Sequence, residues 1–147
     1  GSSTKTHRDQ VTFTNKPLLE EKKPSIVAGG PQLSQDGKID ITWEQEKTTK
    51  SFVDTRHPRT AAAKLKGGKF LLITVDGRTE SSGGIGLQDL AEYLLSLGAT
   101  DAMNLDGGGS TTMFMDGKIV NHPSDKEGER KVSDALLVTL RAKPKSK

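Results

Sequence analysis

Hydrophobic positions change their period along this chain. Leu87, Leu90, Ala91, Leu94 and Leu95 recur at the i, i+3, i+4, i+7, i+8 spacing of one helical face. The spacing predicts a helix over 87–97, closed by Gly98 as a left-handed C-terminal residue. Elsewhere the apolar runs are short and strand-like. Thr60 to Leu65 and Phe70 to Val75 flank Gly67-Gly68, a hairpin pattern. Phe70-Leu71-Leu72-Ile73 is almost continuously apolar, which predicts a central strand covered on both faces. Ala102 to Leu105 reads as a buried strand after the helix, and Thr111 to Met115 with Lys118 to Val120 as a second hairpin about Asp116-Gly117. Ala135 to Leu140 reads as a final strand. Upstream, Ile26-Val27-Ala28 predicts a short strand that bends at Gly29-Gly30-Pro31 and resumes at Gln32-Leu33. Asp36-Gly37 then turns it toward Lys38 to Trp43. Residues 44–56 are polar and read as a loop with some extended backbone. The expected class is α+β, a mixed, largely antiparallel β-sheet with a covering helix or helices.

Three sections follow from the composition. Residues 1–24 are polar and aperiodic, an arm or linker; 25–140 form the core domain; 141–147 are a basic tail. Gly1-Ser2-Ser3 reads as a cloning scar, so a natural N-terminus and any export signal are expected upstream. The 147 residues suffice for one domain. With 31% hydrophobic residues and 16 glycines the domain should be rich in loops. The net charge of +3 comes from the tail: four of the 22 Lys and Arg are Arg141, Lys143, Lys145 and Lys147, leaving 18 against 19 acidic residues. That near-neutral body, with 4% aromatics, argues against a nucleic-acid partner. No cysteine is present, which excludes disulfides and thiolate metal sites. No apolar run approaches the ~20 residues of a membrane span.

Four polar clusters stand where strands end. His57-Pro58-Arg59-Thr60 precedes a strand, and Pro58 stiffens the entry so that Arg59 is presented from fixed backbone. A surface Arg after Pro is the bland alternative. Asp76-Gly77-Arg78 follows the apolar strand; Asp-Gly is often only a turn, but here an acid and a guanidinium emerge together. Asn104-Leu105-Asp106-Gly107-Gly108-Gly109-Ser110-Thr111 carries three consecutive glycines. Glycine is costly to order, and such a run is tolerated where backbone approaches something closely or forms an anion-binding nest. Asp106 stands at its mouth, and Ser110 and Thr111 add hydroxyls. The loop lacks the spacing and lysine of a Walker phosphate loop. The last cluster is Asn121-His122-Pro123-Ser124-Asp125 with Glu129-Arg130, an ordinary surface loop by itself. His57 and His122 form no ligand pair, so no zinc site is expected.

In this order the clusters resemble the phosphodiester glycosidase family. The resemblance rests on Gly29-Gly30-Pro31-Gln32-Leu33 with Asp36-Gly37-Lys38, His57-Pro58-Arg59-Thr60, Val75-Asp76-Gly77-Arg78, Leu90-Ala91-Glu92, Ala102 to Ser110, and Asn121-x-Pro123-Ser124-Asp125 with Glu129-Arg130 and Ala135 to Val138. It spans roughly residues 26–140. Relatives generally carry an upstream Asn-Gly-Gly-Phe-Phe-like segment that residues 1–24 do not reproduce, so a complementing upstream segment or second chain is an expected partner. The resemblance implies removal of a GlcNAc-like sugar from a phosphodiester-linked sugar or glycan, in a secreted, periplasmic or cell-envelope setting.

Under that reading Arg59 and Arg78 clamp the phosphate, with Gly107, Gly108, Gly109, Ser110 and Thr111 as further donors. Asp106, or else Asp76, is the carboxylate at the anomeric carbon, as nucleophile or as base for water. His57 is counted with the ligand-binding groups, Asn104 and Asp125 orient sugar hydroxyls, and Glu129 with Arg130 forms an ion pair holding its loop. No cofactor is expected. Two alternatives stay open: a phosphodiesterase breaking the P–O bond with Mg²⁺ or Ca²⁺ on Asp76 and Asp106, and a non-catalytic glycan-phosphate binding module.

Overall fold

The computed structural model describes residues 27–140. Five strands, β1 (Gln32–Gln35), β2 (Lys38–Ile39), β3 (Arg59–Leu65), β4 (Phe70–Val75) and β5 (Ala99–Asn104), form one sheet in the order β2-β1-β5-β3-β4. Every neighbouring pair is antiparallel. Two helices, α1 (Lys50–Asp54) and α2 (Leu87–Ser96), and a small hairpin of β6 (Phe114–Met115) and β7 (Lys118–Ile119) complete an α+β fold.

Helix α2 covers one face of the sheet, and its apolar stripe explains why. Leu87, Leu90, Ala91 and Leu94 are fully buried against Leu33, Ala61, Ala63 and Ala102. In β3 the alanines at 61 and 63 pair with Ile73 and Leu71 on one side and Asn104 and Ala102 on the other. A row of small side chains in the middle of the sheet leaves room for the leucines above it. Each fully buried leucine contributes roughly 1.5–3 kcal/mol. Gly98 stops the helix in the left-handed region, φ +92, with open space where a Cβ would stand.

Four expectations are corrected. β4 is the edge of the sheet, not its centre: Phe70 is 76% exposed, while Leu71, Ile73 and Val75 pack toward the core. Its run of apolar residues carries an ordinary one-sided alternation, since α2 covers a single face. Ala135 to Leu140 forms no strand, and Leu137 and Val138 are each 84% exposed. Apolar side chains alone do not make a strand when no sheet edge pairs with the backbone. Within 44–56 lies α1, whose N-cap Thr49 accepts a hydrogen bond from the Phe52 N–H at 3.1 Å. Val27 and Ala28 form no strand. Ile26, the 1–24 arm and the 141–147 tail lie outside the described residues.

Truncating Leu90 to alanine should cost about 2–5 kcal/mol, because the cavity sits between α2 and the alanine row and neither can close it. Urea unfolding of Leu90→Ala beside wild type measures it.

Candidate active site

Antiparallel pairing brings the clusters together. Arg59 at the start of β3 lies opposite Val75 at the end of β4, and Ala61 lies opposite Asn104 at the end of β5. The entry to one strand and the exits of its two neighbours therefore share one end of the sheet. His57-Pro58-Arg59, Asp76-Gly77-Arg78 and Asn104 to Gly109 meet there.

Arg59 is the most buried charge at this end, 2% exposed. Its Nε donates to the Ile85 carbonyl at 3.1 Å, and its Nη2 donates to the carbonyls of Phe52 at 2.6 Å and Thr55 at 2.8 Å. The guanidinium carbon sits 4.6 Å from the centre of the Phe52 ring. Burial, with the nearby charge of Arg78, lowers its pKa to about 10, so it remains a cation at neutral pH. Next to it, His57 exchanges backbone hydrogen bonds with Ile85, and Arg56 Nε donates to the Gly84 carbonyl at 2.9 Å. Gly84 has φ +82, and a Cβ there would stand 2.6 Å from the His57 carbonyl. On the other side the Gly108 N–H donates to the Pro58 carbonyl at 2.9 Å, and a Cβ on Gly107 would meet that same oxygen at 2.8 Å. His57-Pro58 is thus clasped between two glycine-containing segments.

His57-Pro58-Arg59 and the segment of Gly107 and Gly108 wall a cavity of about 620 Å³. Asp106, Arg59, Arg78, Asn104, His57 and the three glycines 107–109 line it, as the sequence suggested. The loop amides are largely engaged internally. Gly107 N–H donates to Asp106 Oδ1, Gly108 N–H to Pro58, Ser110 N–H to Gly107 and Thr111 N–H to Gly108. Arg78 supplies a guanidinium beside the loop: its Nη1 would lie 3.3 Å from a Cβ at Gly108. Its backbone sits at φ 57, uncommon for a residue with a side chain. Asn104 is fully buried on the wall. Its Nδ2 donates to the carbonyls of Gly30 at 2.8 Å and Leu105 at 3.0 Å, and its Oδ1 has no hydrogen-bond partner.

Four predicted residues take other places. Asp76 is not on the cavity wall; its carboxylate accepts from Asn121 Nδ2 at 3.0 Å and from the backbone N–H of His122, with His122 Nδ1 at 3.1 Å. Burial pulls its pKa up, but the hydrogen bonds from Asn121 and His122 and the His122 charge outweigh this and leave it below the usual carboxylate range. Thr111 is buried, its hydroxyl accepting from Thr60 at 3.3 Å and its carbonyl from Asn121. Ser110 closes the short 3-10 turn Gly108–Ser110 without lining the cavity. Asp125 holds Arg130 in a two-pronged bridge, 2.8 and 3.0 Å, where the sequence reading had paired Arg130 with Glu129. The hydrogen bonds from Arg130 and its charge lower the Asp125 pKa, and the Asp125 carboxylate in turn raises that of Arg130.

Arg130 itself lines the cavity, as do Glu46, Thr48 and Phe52. Glu46 is buried, its Oε1 accepting from the Gln32 N–H at 2.9 Å and from the Thr42 hydroxyl. Its sequence signal is faint, one acid among several in a polar stretch. The wall therefore presents three guanidiniums, Arg59, Arg78 and Arg130, with the carboxylates of Asp106 and Glu46. Among the described residues no three His, Cys, Asp or Glu side chains group as metal ligands.

Residues 2–139 match the family model for phosphodiester glycosidases. The chain belongs to that family. It is 34% identical over 126 residues to the bovine N-acetylglucosamine-1-phosphodiester alpha-N-acetylglucosaminidase and 40% identical over 126 residues to the human protein of that name. Each alignment covers 80% of this chain and 23% of the relative, so the chain spans about a quarter of those curated relatives. Among solved structures it is similar to the catalytic domain of the zebrafish enzyme of the same name, auto-inhibited by its pro-peptide. That match has TM-score 0.60 and 32% identity, covering 67% of this chain and 35% of the other. A Synechocystis protein of TM-score 0.63 and 28% identity covers 74% of this chain and 20% of its own. Among the described residues no helix is long and apolar enough to cross a membrane.

Replacing Arg59 by methionine should strip the Phe52 and Thr55 carbonyls of their donor, leave Ile85 with the His57 N–H alone, and cost at least ~2 kcal/mol in chemical unfolding. Asp76 adds a pH dependence. With a folded pKa below the unfolded 3.8, its contribution is complete above that value and is lost as pH falls through the folded one. Asp76→Asn should accordingly lower stability at pH 7, with the difference from wild type shrinking as the pH falls below 3.8, read from unfolding midpoints at neutral and acid pH.

Proposed function

We propose that this chain hydrolyses a sugar-1-phosphodiester, freeing a GlcNAc-like sugar and leaving a phosphate monoester. Family membership supports the reaction class. The observation that carries it to these residues is one cavity wall with Asp106 beside Arg78 and Arg130. Breaking the anomeric C–O bond expels a phosphate monoester, a good leaving group that needs little protonation. The demand falls on holding negative charge at phosphate and on supplying a carboxylate at the anomeric carbon.

Arg78 and Arg130 meet the first demand, each able to present a planar fork to phosphate oxygens. Because the amides of Gly107, Gly108, Ser110 and Thr111 are already engaged, guanidiniums and not a peptide nest bear the anion in this reading. Arg59 acts at one remove, fixing the backbone that carries His57. Asp106 is the carboxylate: it either attacks the anomeric carbon, giving a glycosyl ester that water then hydrolyses, or takes the proton from a water that attacks directly. The bond electrons leave with the phosphate oxygen, and the sugar gains a hydroxyl. Asn104 contributes a buried, unpartnered carbonyl oxygen on the wall, suited to a hydroxyl or amide donor of the sugar. Export to a lumen, periplasm or cell envelope, and a complementing segment or second chain, belong to the same proposal.

The test is hydrolysis of the methyl phosphodiester of GlcNAc-1-phosphate. Wild type should release free sugar, and Asp106→Asn and Arg78→Ala should each lose at least ~10²-fold in kcat/KM while remaining folded. In ¹⁸O water the label should enter the sugar. Label in phosphate, with activity abolished by EDTA, would favour the P–O cleaving reading. Tight binding of sugar phosphate without turnover would favour the binding module.

A further inference from the structure

His57 lies between two arginines, and one of them dictates where its proton sits. Arg78 Nη2 stands 3.1 Å from His57 Nδ1. A guanidinium carries only N–H donors and has no lone pair to offer. The bond therefore runs from Arg78 to the ring, and Nδ1 must present its lone pair. In a neutral imidazole the one proton then belongs to Nε2.

We propose that His57 serves the cavity as a neutral imidazole locked as the Nε2–H tautomer, donating a hydrogen bond to the anionic ligand instead of acting as a base. The donor role rests on the function proposed above; the tautomer rests on the Arg78 contact alone. The ring's origin is fixed, since the His57 backbone exchanges hydrogen bonds with Ile85 and abuts Gly84. Its plane is tilted 34° to the Phe52 ring at 6.4 Å.

The charged surroundings agree. Arg59 on β3 and Arg78 after β4 flank the ring, while Asp106, Glu46 and Arg130 share its cavity. Burial, then Arg59, then Arg78 lower the His57 pKa from 6.5, so the ring is neutral at pH 7 and protonates only as the pH falls below 6.5. Protonation would place an N–H on Nδ1 against the Arg78 N–H. That bond would break, and two like charges would face each other. Acid thus withdraws the Arg78 orientation, while Nε2–H remains a donor.

Imidazole ¹⁵N spectra of the wild-type chain at pH 7.5, with inorganic phosphate as probe, read the tautomer directly. An unprotonated Nδ1 with protonated Nε2 is expected, and the opposite tautomer, or an imidazolium, overturns the proposal. The second measurement is phosphate affinity in His57→Asn, which keeps an acceptor near the Nδ1 position and removes the cavity donor. Affinity should fall roughly tenfold with an unchanged circular dichroism spectrum. Unchanged affinity would sink the donor role. Failure of sugar release alone would sink the proposed reaction and leave both of these results standing.

Discussion

A buried cation joined to three backbone carbonyls holds this end of the molecule in shape. Helix α1 has only five residues, and a helix that short leaves most of its carbonyls without intrahelical donors. Phe52 and Thr55 turn theirs toward the segment before α2, where the Ile85 carbonyl also points. Only the Ile85 carbonyl has a backbone N–H, that of His57, and none reaches all three. The Arg59 guanidinium does, and in doing so satisfies its own charge in a place where an unpartnered ion would be prohibitively costly. With that junction closed, the chain between α1 and β3 has one course. The contacts of His57 with Ile85, of Pro58 with Gly108 and of Arg78 with His57 all follow from it.

The sheet does the rest by topology. Residues about twenty to fifty positions apart reach one cavity because β3 runs antiparallel to both of its neighbours. The chemistry is divided along that arrangement. Guanidiniums come from three different segments, and the solvent-facing carboxylate of Asp106 comes from the turn after β5. The chain belongs to the family of phosphodiester glycosidases, and the proposed reaction draws on that division.

What was legible in the sequence was whatever repeats or punctuates. The leucine spacing of α2 and the double-glycine hairpin of β3 and β4 are local, and both elements stand where they were expected. The Asp106-Gly107-Gly108-Gly109 run announced a close backbone approach, and Gly107 and Gly108 do abut Pro58. Asp76 was read as a site residue because it ends a strand, but its partners Asn121 and His122 lie some 45 positions on, and no local pattern announces that pairing. Arg130 and Glu46 were hidden for the same reason. Each sits in a polar stretch, and only the closed fold brings them to the cavity. β4 was misplaced because an apolar run records hydrophobicity, not how many faces have something to cover them.

The arginines also bear on how a ligand would be received. A free arginine side chain surrenders about 2 kcal/mol of rotamer entropy when it is immobilised. Here Arg78 is held at His57 and Arg130 at Asp125 before anything enters the cavity, so much of that ordering is already made in the folded chain. An incoming anion meets cations that have little freedom left to lose. Its affinity is then drained mainly by its own stiffening and by shedding water, which favours a small, rigid headgroup over a long flexible one.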